Sequence, residues 1–253
     1  GILASRTGNI RLPLYVGMGL CSFNAAFTAT LVPEPRARDN GRRRDLDLAR
    51  ANPVGAVKLL ARSKLLVALS ASYFCTWVAH SGLQVNWINF TDYKFGWGAA
   101  TSGASLAFMG LLVAAMPKLV IPRLGVQRSL RYGILALALA NLLLAVVPAS
   151  LVGAALGVVA LGSIVFPATL AVMTMQVDQS EVGAMQGAAD TVKTLTTAIA
   201  YPFMSCIFGF SISDKAPVKF PGTSLLVGSL MMMISYIIVH FLVLKKNMNT
   251  KMK

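Results

Sequence analysis

The stretch LVGAALGVVALGSIVFPATLAVMTM, residues 151–175, runs from Leu151 to Met175 without an Asp, Glu, Lys or Arg. A helix rises about 1.5 Å per residue, so about 20 apolar residues cross the roughly 30 Å hydrocarbon core of a bilayer. This run is long enough to do so, and its reading decides the fold. Six more apolar runs flank it, each bounded by Pro, Gly or charge: Leu12 to Val32, Leu65 to Phe90, Ala99 to Ile121, Leu130 to Val147, Val182 to Phe210, and Thr223 to Leu244. The chain of 253 residues is 56% hydrophobic and 13% charged, whereas a soluble domain is about a quarter charged. An all-α integral membrane protein of about seven transmembrane helices is expected.

The net charge of +14 does not point to nucleic acid, because Lys and Arg collect in short stretches between the apolar runs. Basic connections stay on the cytoplasmic side, or its organelle equivalent. Residues 34–64 carry nine, Lys118 to Arg131 four and Lys245 to Lys253 four, all on one side when the spans alternate. The other side receives Arg6, Arg11, Lys94, Lys215 and Lys219, a bias of seventeen against five. The N-terminus is placed outside and the C-terminus inside. The connection QVDQSEVG adds only Asp178 and Glu181, and acidic residues are weak topology signals. The composition does not distinguish a plasma membrane from an organelle membrane.

The connection PEPRARDNGRRRDLDLARANP, Pro33 to Pro53, is charge-dense and poor in large apolar residues, so no fold of its own is expected there. Cys21, Cys75 and Cys206 all fall in apolar runs without a CxxC, which indicates neither a disulfide framework nor a metal site. The opening GILASRTGNI has neither Met nor the pattern of a signal peptide, so an excerpt or a processed product is expected. Gly153 with Gly157, and Gly183 with Gly187, are GxxxG pairs expected to serve helix packing within the chain.

Polar groups in hydrocarbon need partners, and ionisable ones usually face a cavity or another helix. Trp77, His80, Gln84 and Trp87 recur at i, i+3, i+7 and i+10, placing them on one face of a helix. Two readings stand for this face. It lines a substrate cavity, since such sites are mainly aromatic and apolar with a few placed polar groups. Otherwise Trp77 packs in the bundle, Trp87 sits at the membrane interface and His80 donates to a neighbouring helix. His80 titrates near neutrality when unperturbed, which suits proton coupling. In GAMQGAADTVKTLTT, Gly183 to Thr197, the residues Gln186, Asp190, Lys193 and Thr197 form a second polar stripe. For a helix beginning near Val182, Asp190 lies about 12 Å along it and Lys193 about 16 Å, near mid-membrane. Charges there cost about 2.5 to 3.5 kcal/mol each on insertion scales. The i, i+3 spacing lets the two pair; otherwise the stripe faces the cavity beside His80 and Gln84, where Asp190 binds a proton or a cationic solute. Asn24, Asn141 and His240 are expected to hydrogen-bond between helices.

Asn89-Phe90-Thr91 is a glycosylation sequon at the membrane edge, where no glycan is expected. No HExxH, Cys/His cluster, Ser nucleophile arrangement or phosphate-cradling Gly loop occurs. Enzymatic chemistry is not expected, nor is a cofactor or metal.

The connections carry a resemblance. TATLVPEPRAR, from Thr28, followed by the basic linker, resembles the end of helix six and the central cytoplasmic loop of major facilitator superfamily transporters. DYKFGWGAATSGASLAFMG, Asp92 to Gly110, is similar to the turn from helix seven to helix eight in the tetracycline-resistance-type branch, which contains drug/proton antiporters. PRLGVQRSLRYG, Pro122 to Gly133, resembles the basic loop between helices eight and nine, with Arg123, Gly125 and Arg128 matching. Pro122 stands where that pattern has an acidic residue, so no charge-relay gate is expected there. MQVDQSEVGAMQG, Met175 to Gly187, resembles the connection of helices ten and eleven. The resemblance does not supply the Asp190 and Lys193 pair.

The resemblance implies helix six and the C-terminal six-helix bundle of a major facilitator fold. On this reading residues 1–33 are the last helix of an N-terminal bundle, 34–64 a basic cytoplasmic-side linker, 65–245 the C-terminal bundle and 246–253 a basic tail. Superfamily members enclose a midplane site between two such halves. The implied function is transport of a small organic solute coupled to protons, with the lipid bilayer and a missing N-terminal half or other membrane subunits as partners. Candidate substrate and coupling residues are Trp77, His80, Gln84, Gln186, Asp190 and Lys193. The alternative is a transport-inactive half-transporter serving as a structural subunit of a larger membrane complex. A seven-span receptor would fit the topology but not the four connections.

Overall fold

Each apolar run is helical, because backbone N–H and C=O groups without water must satisfy one another. The computed structural model describes residues 7–9, 11–32 and 58–244, with the side chains of residues 242–244 left aside. The linker up to residue 57 and the tail 246–253 lie outside the described residues. The helices are α1 (Leu12–Leu31), α2 (Lys64–Phe95), α3 (Ala99–Leu124), α4 (Val126–Val146), α5 (Val152–Gly162), α6 (Val165–Thr174), α7 (Val182–Ile212) and α8 (Thr223–Ile238), the last continued by a π-helical turn, Val239–Leu244. No strand occurs among the described residues. Among the described residues seven stretches are long and apolar enough to cross a membrane, with Ala149–Thr174 counted as one.

Local chemistry sets several of the boundaries. Ser63 caps α2 by accepting the Leu66 N–H at 3.1 Å, and Gly96 ends it in the left-handed region at φ 67°, a conformation glycine adopts without strain. Gly125 at φ 76° alone separates α3 from α4, which folds the chain back within one residue.

The run 151–175 is not one continuous helix. It breaks at Ser163 and Ile164, between α5 and α6. The break lies four residues before Pro167, which has no N–H to offer the Ser163 carbonyl and whose ring crowds it. The Ser163 carbonyl accepts the Phe166 N–H at 3.2 Å instead, and the Ser163 hydroxyl donates to the Ala160 carbonyl at 2.6 Å.

Helices α2 and α4 organise the bundle. α2 packs against α7 and α8, while α4 packs against α5, α6 and α8. The core holds Leu69, Leu130, Ile134, Val165, Met173, Met185, Met204 and Met232, all fully buried. A polar pin joins α2 to α8: the Ser72 and Ser235 hydroxyls lie 2.7 Å apart, and Thr76 lies 3.3 Å from Ser235. α1 contributes no buried residue.

Glycine packing departs from expectation. A Cβ at Gly153, Gly157, Gly183 or Gly187 would meet nothing within 4 Å, so the GxxxG pairs make no close contact among the described residues. The close approach occurs at Gly162, where a Cβ would stand 2.7 Å from the Leu137 nitrogen, and at Gly133, 3.0 Å from the Val165 nitrogen. Helix-kink geometry, which the spacing of small residues does not encode, decides where backbones touch. Interhelical hydrogen bonds also fall elsewhere than expected. The Asn141 amide donates to Leu137 of its own helix, His240 stacks on Tyr236 and Asn24 is exposed. The hydroxyls of Ser72, Ser229 and Ser235 and the amide of Asn86 cross between helices instead.

Candidate functional site

The packing of α2 on α7 brings the two polar stripes together. Lys193 of α7 holds its Nζ 4.7 Å from the centroid of the Trp77 ring on α2, a cation over the negative face of an indole. His80, one turn further along α2, meets Trp77 edge-on with ring centroids 5.5 Å apart. Phe166 of α6 closes the cluster, at 4.7 Å from Trp77 and 4.9 Å from His80. Lys193 also lies within electrostatic reach of His80. The Trp77 Nε1–H is buried and has no hydrogen-bond partner among the described residues, although such groups normally find one.

One further turn along, the Tyr201 hydroxyl of α7 donates to Gln84 Oε1 at 2.8 Å. In the other direction Asp190 stands within electrostatic reach of Tyr73, which in turn meets Trp77 edge-on at 6.0 Å. Asp190, Gln186 and Gln84 are exposed, whereas His80, Trp77 and Lys193 are partly buried. The arrangement is a wall of aromatic rings carrying an amine, an imidazole, a carboxylate and an amide, the composition of small-molecule sites.

Of the two readings of Asp190 and Lys193, the ion pair does not form. The ion pairs among the described residues are Arg62–Glu181 at 2.7 Å and Lys219–Asp214 at 2.6 Å. The Trp77 ring takes the ammonium group, leaving Asp190 exposed. Trp87 also departs from the expected face: it is 2% exposed and donates its Nε1–H to Ser105 of α3 at 3.0 Å. At i+10 it has rotated from the Trp77 direction toward the core. Phe166 and Tyr201 are additions that the polar patterns alone do not reveal. Tyr201 continues the α7 stripe four residues past Thr197, and Phe166 is placed by the Pro167 break.

At the opposite end, Arg123 and Arg128 are exposed on either side of the Gly125 turn. They share no contact with the aromatic cluster. No group of three or more His, Cys, Asp or Glu able to hold a metal ion occurs among the described residues.

Comparison with known proteins agrees with this architecture. The chain is 26% identical over 178 residues to the tetracycline resistance protein, class C, of Escherichia coli, an alignment that takes in 68% of this chain and 45% of the relative. The chain spans about half the length of the curated relative it matches. Residues 1–201 match the Major Facilitator Superfamily, whose members are membrane transporters rather than enzymes. Helical spans, the turn chemistry of their connections and a match over most of the chain converge, and the protein belongs to the Major Facilitator Superfamily.

Proposed function

We propose that the protein carrying this sequence moves a small organic solute across a membrane in exchange for protons, along a path lined by α2 and α7. The observation that carries this reading is the cluster of Trp77, His80, Phe166 and Lys193, with Gln84, Gln186 and Asp190 exposed beside it. Ionisable groups at mid-span are expensive and mark ion or substrate paths. In this reading Trp77 and Phe166 bind the solute's apolar surface, Gln84 orients it, and Asp190 and His80 exchange protons. Lys193 holds the Trp77 ring and repels a second cation from the filled site. Residues 65–245 act as the C-terminal bundle and α1 as the last helix of the other bundle. The silent half-transporter is not favoured, because the matched superfamily is one of transporters.

The test is uptake by proteoliposomes containing the full native polypeptide, with an imposed pH gradient and tetracycline, the compound named for the relative, heading a panel of solutes. Gradient-driven accumulation that falls at least tenfold in Asp190→Asn is expected. Accumulation that is indifferent to the gradient, or unaffected in both Asp190→Asn and His80→Ala, removes proton coupling from the mechanism.

A further inference from the structure

Beyond the mid-span cluster, the same two helices flank an open cavity of about 440 Å³ near the end that the charge bias assigns to the outside. That volume lies within the range of small-molecule sites. Its walls include Asp92 and Tyr93 of α2 and Ser205, Phe208 and Gly209 of α7. Asp92 lies twelve residues beyond His80, about 18 Å along the helix, so this space is separate from the aromatic cluster.

The chemistry of the lining is one-sided. It offers a carboxylate, two aromatic rings, amides and a hydroxyl, and no Lys or Arg lines it. Asp92 forms no ion pair among the described residues. Its nearest cation in sequence, Lys94, turns away and donates to the carbonyls of Ala145 at 2.8 Å and Leu144 at 3.3 Å at the end of α4. Asn86, 3% exposed, donates its Nδ2–H to the Met204 carbonyl at 3.1 Å, and its Oδ1 can act only as an acceptor. Every polar side chain lining this space is therefore an acceptor or can serve as one, and two aromatic residues stand beside them. An anion would find no positive counter-charge. A quaternary or aromatic ammonium would find a carboxylate and aromatic faces, the combination that recognises such cations.

We infer that this outer cavity is a binding subsite for organic cations, with Asp92 as counter-charge and Tyr93 and Phe208 as the aromatic walls. The inference extends the transport reading by naming a solute class, but its test does not require flux. Equilibrium binding of radiolabelled 1-methyl-4-phenylpyridinium to the full native protein in detergent, with neutral 4-phenylpyridine as control at pH 8, reads it directly. Saturable binding of the cation is expected, weakened at least fivefold in Asp92→Asn and retained in Asp92→Glu, with the neutral compound insensitive to Asp92→Asn. Gly209→Leu should also weaken the cation, since Gly209 lines the cavity and a Cβ there meets nothing within 4 Å. Equal affinity for the charged and neutral compounds, or wild-type cation binding in Asp92→Asn, overturns the subsite. Cation binding without gradient-driven flux would overturn the transport reading and leave the subsite standing.

Discussion

Lys193 shows how a single charge is accommodated at mid-span. Its ammonium group has moved off the carboxylate three residues earlier and onto the face of Trp77, 4.7 Å away. Such contacts are worth about 0.5 to 2 kcal/mol, the larger figure where water is excluded. The assignment predicts an energetic coupling measurable by a double-mutant cycle on denaturant stability in detergent. Lys193→Met and Trp77→Leu should be coupled by about 1 kcal/mol, whereas Lys193→Met and Asp190→Asn should be additive. Coupling in the second pair and none in the first would restore the ion pair. Two glycines make a matched prediction. Gly162→Ala drives a methyl group to 2.5 Å from the Leu137 Cγ and 2.7 Å from its nitrogen, and overpacking of this kind costs about 1 to 3 kcal/mol. Gly157→Ala meets open space and should be neutral or stabilising by up to about 1 kcal/mol through helix propensity. Thermal melts of the two variants, run side by side, should diverge in sign.

At the scale of the element, the interruption between α5 and α6 does more than shape one span. It seats Gly162 against Leu137 of α4 and places Phe166 against both Trp77 and His80. Pro167→Ala restores an N–H that can reach the Ser163 carbonyl and lets the helix run through. The continuous helix then rotates Phe166 relative to His80, so solute uptake should fall several-fold although helix propensity rises. Uptake unchanged in Pro167→Ala would show that the break has no bearing on the cluster. This element also marks the limit of what the chain discloses before folding. The spans are legible because apolarity and length alone fix them, but the eight-residue connection drawn between Ile121 and Leu130 is helical up to Leu124 and from Val126, so the reversal at Gly125 alone is not. The Ser163 break is hidden within unbroken apolarity, where only Pro167 hints at it. Trp77, His80 and Gln84 are recognisable as polar interruptions of an apolar helix, but Phe166 resembles any other core residue until tertiary packing brings it to them. Asp190 and Lys193 were visible as charges; their partners were not, because an aromatic face competes with a carboxylate only once α2 lies against α7.

At the scale of the whole molecule, the distribution of charge and the helix ends make a single statement about orientation. The basic turn between α3 and α4, with Arg123 and Arg128, lies at one end of the bundle, and the hairpin from α7 to α8, with Lys215 and Lys219, lies at the other. Lys219 is paired with Asp214 at 2.6 Å and Lys94 is engaged by the carbonyls of α4, so two of the cations at that end are held locally, while Lys215 is exposed. At the basic end Arg123 and Arg128 are free of any ion pair among the described residues, and on the orientation expected from the charge bias they would face the anionic cytoplasmic leaflet, where each basic residue contributes about 1 kcal/mol. This asymmetry predicts the topology directly. With the three native cysteines replaced by serine, Val218→Cys, at a position 75% exposed on the α7–α8 hairpin, should react with a membrane-impermeant maleimide applied to intact cells. Gln127→Cys, exposed beside Gly125 on the α3–α4 turn, should react only after the membrane is permeabilised. The opposite pattern would invert the bundle and place Asp92 and its cavity on the cytoplasmic side; labelling of both positions in intact cells would mean that one of the intervening apolar stretches does not cross.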